Sequence, residues 1–263
     1  MVADADRNFI ERMMWDDVAR RLNGGAAVSL PIGAAAKQHG FHLPLNTDRI
    51  QAEWLAAKLA EQVDALIWPT VVYGYYPAFA EYAGSSSLSA STFEATVVEI
   101  AAEILGAGCR KLFVLNTGIS TLAPVECALA RLDTGNVMHL RIHEGPRYRH
   151  AAENLAEQNH GSHADELETS LMLVVAPHLV DIRRAEASPL VKRETPGRLT
   201  PSDPNSSNYS RSGSYGDPTR ATRAKGEVLL TAMFDDLNEQ VVTFVAERSA
   251  ATASLGAIRG VAR

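Results

Sequence analysis

The fold is decided by Ala26-Ala27-Val28-Ser29-Leu30-Pro31-Ile32-Gly33, an apolar run that opens into Lys37-Gln38-His39-Gly40-Phe41-His42 and closes on Asn46-Thr47-Asp48. A short apolar run bounded by glycines reads as a buried strand, and Gly33 begins its exit loop. Thr47 is placed to cap a helix over 48–62, on which Ile50, Trp54 and Leu55 share one side. The same grammar repeats downstream. A second strand is expected over 65–73, a third over 111–115 and a fourth over 136–142. Ser91 opens a helix in which Phe93, Val97, Ile100 and Ile104 recur at helical spacing, stopped near Gly106 and Gly108. An amphipathic segment, 9–22, precedes the first strand, and a last helix is expected over 222–247 after Asp217-Pro218, which reads as N-cap and first-turn proline.

Strands alternating with helices imply a three-layer α/β/α sandwich with a mostly parallel sheet, one domain over 1–263. In such sheets ligands lie beyond the carboxyl ends of the strands. The polar turns 33–48, 74–89 and 116–121 all follow expected strands. The stretch 187–217 is rich in Pro, Ser, Asn and Arg without apolar period, and reads as a lid, an arm to another subunit, or disorder.

The whole-chain properties exclude several classes. A formal net charge of -6 over 263 residues gives no footprint for nucleic acid. No run approaches the roughly 18 apolar residues of a membrane span, and Met1 to Asp6 does not read as a secretory signal. Cys109 and Cys127 are too far apart in sequence for a Cys-x-x-Cys motif and read as reduced thiols. The expectation is a cytoplasmic protein with a small-molecule substrate.

Two clusters carry chemistry. Lys37, His39, His42 and Asp48 lie in one loop, where imidazole and carboxylate together suit a divalent metal; packing for His42 and helix-end charge for Asp48 are the plainer alternatives. His160-Gly-Ser-His163-Ala-Asp165-Glu166-Leu-Glu168-Thr-Ser170 opens another helix. On it Glu168 flanks an apolar stripe, where a carboxylate needs a partner or a cation; a solvated acidic first turn is the alternative.

These segments together resemble the creatininase (creatinine amidohydrolase) family. Pro31 to Asp48 is similar to P-[VI]-G-[SA]-x-E-Q-H-G-P-H-L-P-L-x-T-D, and His163-Ala-Asp-Glu-Leu-Glu168-Thr-Ser170 to H-A-[GD]-x-x-E-T-S. Tyr73-Gly74 followed by Tyr82 to Leu88, and Gly216-Asp-Pro-Thr-Arg-Ala-Thr222, resemble two further family segments. The resemblance implies two divalent ions held by the Glu and His of E-Q-H, the Asp of L-x-T-D and the His of N-G-H. His39 and Asp48 match as metal ligands, but Lys37 stands at the glutamate position and Gly118, in Asn116-Thr117-Gly118, at the histidine position. At most one divalent ion (zinc, manganese or iron) is therefore expected, or none, with Lys37 in the other half-site.

Three functions follow as expectations. The first is a hydrolase of an amide bond in a small, cyclic molecule, with one metal on His39 and Asp48 completed by His163 or Glu168. The second is a metal-free enzyme in which Lys37 stabilises an oxyanion and His163 or Glu168 moves protons, extending to a ring-opening hydrolase of a cyclic ketone. Lys37, His163 and Glu168 are thus the expected catalytic groups. The third is a non-catalytic binding protein on the same fold. Tyr73, Tyr76, Phe79, Ser85, Asn116, Thr117 and Gly118 are the expected substrate contacts. The resemblance also implies a homo-oligomer, commonly a hexamer.

Overall fold

The computed structural model describes residues 5–132, 135–188 and 198–247. Helix α1 (Trp15–Gly24) leads into β1 (Ala27–Ile32), then α2 (Thr47–Ala60), β2 (Ala65–Ile67), α3 (Ala90–Gly106) and β3 (Leu112–Asn116). After these come α4 (Leu122–Ala130), β4 (Val137–Arg141), α5 (Pro146–Leu155), α6 (Glu166–Val175) and α7 (Arg223–Ala246). The strands form one parallel sheet in the order β2-β1-β3-β4.

Side chains alternate between two cores, as the two-residue period of a strand requires. Phe113 and Leu115 of β3 face a layer made by α2, α5, α6 and α7, packed with Leu59, Leu171, Leu229 and Met233. Leu112 and Val114 face the other layer, α1, α3 and α4, with Leu22, Phe93, Val97 and Val125. The three-layer parallel sandwich expected from the sequence is the observed architecture. Each fully buried Phe, Leu or Ile side chain contributes roughly 1.5–3 kcal/mol, and both faces of the sheet gain it.

Register positions the site. Ile32 pairs with Asn116, and Asn116 with Arg141, so β1, β3 and β4 end level with one another. Their exit loops therefore emerge side by side. Gly33 lets α2 start directly over the end of β1, because a Cβ there would lie 2.5 Å from the Asp48 carbonyl oxygen.

Several local expectations are corrected. Thr47 lies inside the first turn of α2, its hydroxyl donating to the Pro44 carbonyl, and Asn46 holds the cap position. The expected strand 65–73 is only three residues long, because Pro69 has no N–H for the ladder; pairing returns at a single bridge between Val71 and Ile32. Ser89, rather than Ser91, caps α3, accepting from the Thr92 N–H. Asp217-Pro218 opens a short 3-10 turn, and Thr222 caps α7. Helices α4 and α5 were not expected.

Of the stretch 187–217, residues 189–197 lie outside the described residues. The remainder is built into the wall around the strand ends. Tyr215 forms an antiparallel bridge with His163, the Gly213 carbonyl accepts from Gln38, and the Ser210 carbonyl accepts from the Tyr82 hydroxyl.

Candidate active site

The loop after β1 delivers Lys37 and His39, and the first turn of α2 delivers Asp48. All three are buried, at 6%, 0% and 3% exposure. The Lys37 ammonium donates to Asp48 Oδ2 at 2.7 Å, and His39 Nε2 lies 3.0 Å from Asp48 Oδ1. Burial opposes the charged form of Asp48. The Lys37 ammonium and then His39 outweigh that and hold its carboxyl well below the usual carboxylate range.

The other half comes from the start of α6. Asp165 caps that helix by accepting from the Leu167 and Glu168 N–H groups, at 3.0 and 2.9 Å. Burial raises the Asp165 carboxyl to about 6. Ala164, between His163 and Asp165, has a φ of +44°, the one non-glycine residue in the left-handed region among the described residues. This turn aims the Ala164 N–H at Glu168 Oε2, 2.6 Å away, and sends the His163 ring towards His39. Strain of this kind persists where surrounding structure over-determines it. The solvated first turn is excluded for these acids. Glu166 is fully buried and held by Lys225 and the backbone of Glu157 and Gln158, and the Glu168 side chain is 17% exposed.

The His39 and His163 rings lie with centroids 4.8 Å apart, tilted by 45°, so the two sequence clusters form one site. His39 Nε2 is 3.7 Å from Glu168 Oε1, and His163 Nδ1 is 3.9 Å from Glu168 Oε2. The far nitrogen of each ring meets a backbone carbonyl: His39 Nδ1 that of Lys37 at 2.9 Å, His163 Nε2 that of Gln38 at 2.8 Å. Such backing orients an imidazole; it leaves His163 Nδ1 turned to Glu168, while His39 Nε2 is already engaged by Asp48 Oδ1. Burial, then Lys37 and His39, push the His163 imidazole well below its ordinary value, so it is neutral.

His39, His163 and Glu168 thus form a partial metal-binding cluster, their donor atoms all within 4.8 Å of one another. Ligand atoms on a tetrahedral ion at about 2.0–2.1 Å are themselves about 3.4 Å apart; the Glu168 separations of 3.7 and 3.9 Å come near this, and all three donors lie within 4.8 Å. The donors fit one divalent ion. Asp48 flanks this cluster, with both its oxygens already partnered by His39 and Lys37. At the histidine position of N-G-H, a Cβ on Gly118 would lie 2.6 Å from Thr121 Oγ1. The Thr121 hydroxyl is held there by Asn116 Oδ1 and the Gly118 carbonyl, so the space for a side chain is closed.

Lys37, Asp48, His163 and Glu168 face a cavity of about 470 Å³. Among the expected substrate contacts, Phe79 and Thr117 line it, and the Phe79 ring lies 4.1 Å from that of His163. Tyr76 and Gly118 line a small recess beside it; Tyr76 is tied by its hydroxyl to the backbone of Gly74 and Val72. Tyr73 is 53% exposed, Ser85 accepts from the Gln38 N–H, and Asn116 braces the turn at Gly118. His42 bonds Thr169 instead of facing the cavity. Sequence reasoning missed His143, Tyr148 and Tyr215, which also line the cavity. His143 lies two residues past β4, so the rule that placed Gly33 and Thr117 could have found it.

The sequence matches the family model described as creatininase, creatinine amidohydrolase, over residues 11–241. It is 27% identical over 241 residues to the creatinine amidohydrolase of Pseudomonas putida, covering 84% of this chain and 91% of that protein. It is 26% identical over 234 residues to the mycofactocin precursor peptide peptidase of Mycolicibacterium smegmatis, covering 84% and 87%. A crystal structure of creatinine amidohydrolase superposes with a TM-score of 0.78 at 25% identity, covering 92% of this chain and 99% of that one. A structure described as "Creatininase Mn" gives 0.77 at 25% identity, covering 91% and 99%.

Proposed function

This chain belongs to the creatininase family, and from that premise we propose that it hydrolyses an amide C–N bond in a small cyclic molecule. The observation that carries the reading is the convergence of Lys37, Asp48, His163 and Glu168 on one cavity, with His39 directly behind. His39, His163 and Glu168 are the residues that would hold one divalent ion per subunit, with Asp48 at the margin and Lys37 in the other half-site. Such an ion would supply polarisation of a carbonyl and of water. Lys37, fixed by Asp48, donates to the oxygen on which negative charge develops. Glu168 moves the proton of the attacking water to the departing nitrogen. Phe79 and Tyr215 wall the ring of the substrate.

The test is turnover of a panel of cyclic amides, creatinine included, with and without added manganese or zinc, and with Glu168→Gln as the control. Turnover that needs metal and Glu168 is the expected result; none across the panel with metal present sinks the reading. A second reading has its own observation, the buried Lys37 ammonium bordering the cavity. It is a metal-independent opening of a cyclic ketone, recognised by activity that survives a chelator. Silence in both assays leaves a binding protein.

The same reading takes the protein to be a cytoplasmic homo-oligomer. Met14 and Trp15, 72% and 83% exposed at the start of α1, support an association surface there, since large apolar side chains are rarely left in water together. Light scattering after gel filtration tests it. Among the described residues no helix is long and apolar enough to cross a membrane.

A further inference from the structure

The cavity is larger than the ring it is read to take. A five-membered cyclic amide has about seven non-hydrogen atoms, and at about 30 Å³ for each, the share of one water in the liquid, it occupies at most about 200 Å³. The cavity holds about 470 Å³. More than half of it lies beyond a bare ring.

Its lining is divided by chemistry. Lys37, Asp48, His163 and Glu168 gather on one side, joined by the 2.7 Å ion pair of Lys37 with Asp48 and the 3.9 Å approach of His163 to Glu168. Ala78, Phe79, Leu199 and Tyr215 line the same cavity and pack together in one apolar cluster, separate from the two cores that flank the sheet. The two sides meet at Phe79, whose ring lies 4.1 Å from that of His163 and 5.4 Å from the Lys37 ammonium.

The apolar side is a wall fixed by bonds between segments far apart in the chain. The Leu199 N–H donates to the Ala78 carbonyl at 2.9 Å, and the Tyr82 hydroxyl to the Ser210 carbonyl at 2.6 Å. The Tyr215 N–H donates to the His163 carbonyl at 2.8 Å, which ties this wall to the polar side. Ile119, on the loop after β3, adds a large apolar side chain to the lining and is 52% exposed, a surface that bound apolar atoms would cover. Among the side chains of the wall only the Tyr215 hydroxyl is polar, so a charged group laid there loses hydration with little in return.

We propose that the cavity takes a cyclic amide bearing an apolar arm, a benzyl or branched-alkyl group, with the amide at Lys37 and Glu168 and the arm against Ala78, Phe79, Leu199 and Ile119. The proposal rests on the reading of the cavity as a cyclic-amide site, and it deepens that reading by naming the substituent. Burying a phenyl-sized group raises affinity about ten- to a hundredfold.

The experiment compares hydantoin, 5-benzylhydantoin and 5-(2-carboxyethyl)hydantoin by ligand-observed NMR titration of the full chain. The benzyl compound is expected to bind about ten- to a hundredfold more tightly than hydantoin, and the carboxyethyl compound no more tightly. Two variants read the wall through the ratio of benzyl to hydantoin affinity. Ala78→Phe fills the apolar side and should bring the ratio to one or below. Ile119→Ser, at an exposed position, removes part of the cover and should lower the ratio about threefold. Equal affinity for hydantoin and its benzyl derivative, an equal gain from the carboxyethyl arm, or a ratio unchanged in either folded variant would overturn the proposal. So would failure of all three compounds to bind. Should Ala78→Phe not fold, the Ile119→Ser ratio alone decides. A chain that favours the benzyl arm yet hydrolyses none of these amides with metal present sinks the amidohydrolase reading and leaves this one standing. Hydrolysis of hydantoin with no gain from the arm does the reverse.

Discussion

Replacing Lys37 by Glu turns the buried cation of the site into the carboxylate that the family motif has at that position. The Lys37–Asp48 pair is 2.7 Å long, with side chains 7% and 4% exposed. Removing one partner of a buried pair costs about 3–5 kcal/mol, because the other charge stays desolvated and unpaired. In Lys37→Glu two carboxylates then face one another, which adds to the loss. For a chain of this size, 1 kcal/mol shifts the melting temperature by about 2–4 °C. The variant in a chelator should therefore melt about 6–20 °C below the unmodified protein. A divalent ion bound by the new carboxylate, Asp48 and His39 reverses part of this, about 2.7 kcal/mol at a hundred times its dissociation constant. Lys37→Met loses the pair without gaining a ligand, so metal should not rescue it. The assay is urea and thermal unfolding of the three proteins in EDTA and in manganese, with metal analysis of each. Two tightly held equivalents in the unmodified protein, or equal stability of Lys37→Glu and the parent in EDTA, would refute the reasoning.

Three further outcomes are expected. Ala164→Val should cost about 3 kcal/mol or more in urea unfolding, because a β-branched residue is forced into a left-handed backbone at a fully buried position. Glu166→Ala and Glu168→Gln should separate structure from chemistry: the first exposes the loss of the buried bond to Lys225, about 3–5 kcal/mol, while the second chiefly lowers metal content and turnover. Burial, with His39 nearby, lowers the His42 imidazole to about 4. Its depressed folded value means the unfolded chain binds the proton more readily, so the neutral form's stability is complete above about pH 6.5 and is lost as pH falls towards 4. That loss amounts to about 3 kcal/mol, and His42→Gln should lose less than the parent across this window in a pH series of unfolding curves.

The family motifs were legible because they are runs of consecutive residues, at a strand exit for Pro31 to Asp48 and at a helix start for His163 to Ser170. Pro31 to Asp48 is one such run, and its glycine, imidazole and carboxylate all proved to have a local reason for their places. Helix starts were less so. Ser89 and Ser91, or Asn46 and Thr47, are near-equivalent as hydrogen-bonding residues, and which one caps depends on the path of the preceding loop. The strand over 65–73 looked continuous because its residues are apolar, but one missing N–H at Pro69 ends the ladder after Ile67.

By itself the sequence determined the parallel three-layer fold, the placing of the Lys37-to-Asp48 loop at a strand end, and the replacement of two family ligands by Lys37 and Gly118. These depend on residue type and short-range order, which a chain carries in any conformation. The tertiary structure alone decided what the replacements became. Lys37 is an ion-pair partner of Asp48, the place of a side chain at Gly118 is closed by Thr121, and the convergent donors are His39, His163 and Glu168. His143 enters the site from 26 residues beyond Thr117 because β3 and β4 end in register. No spacing along the chain encodes such neighbours. They are set by the pairing of strands and by which loops that pairing brings together.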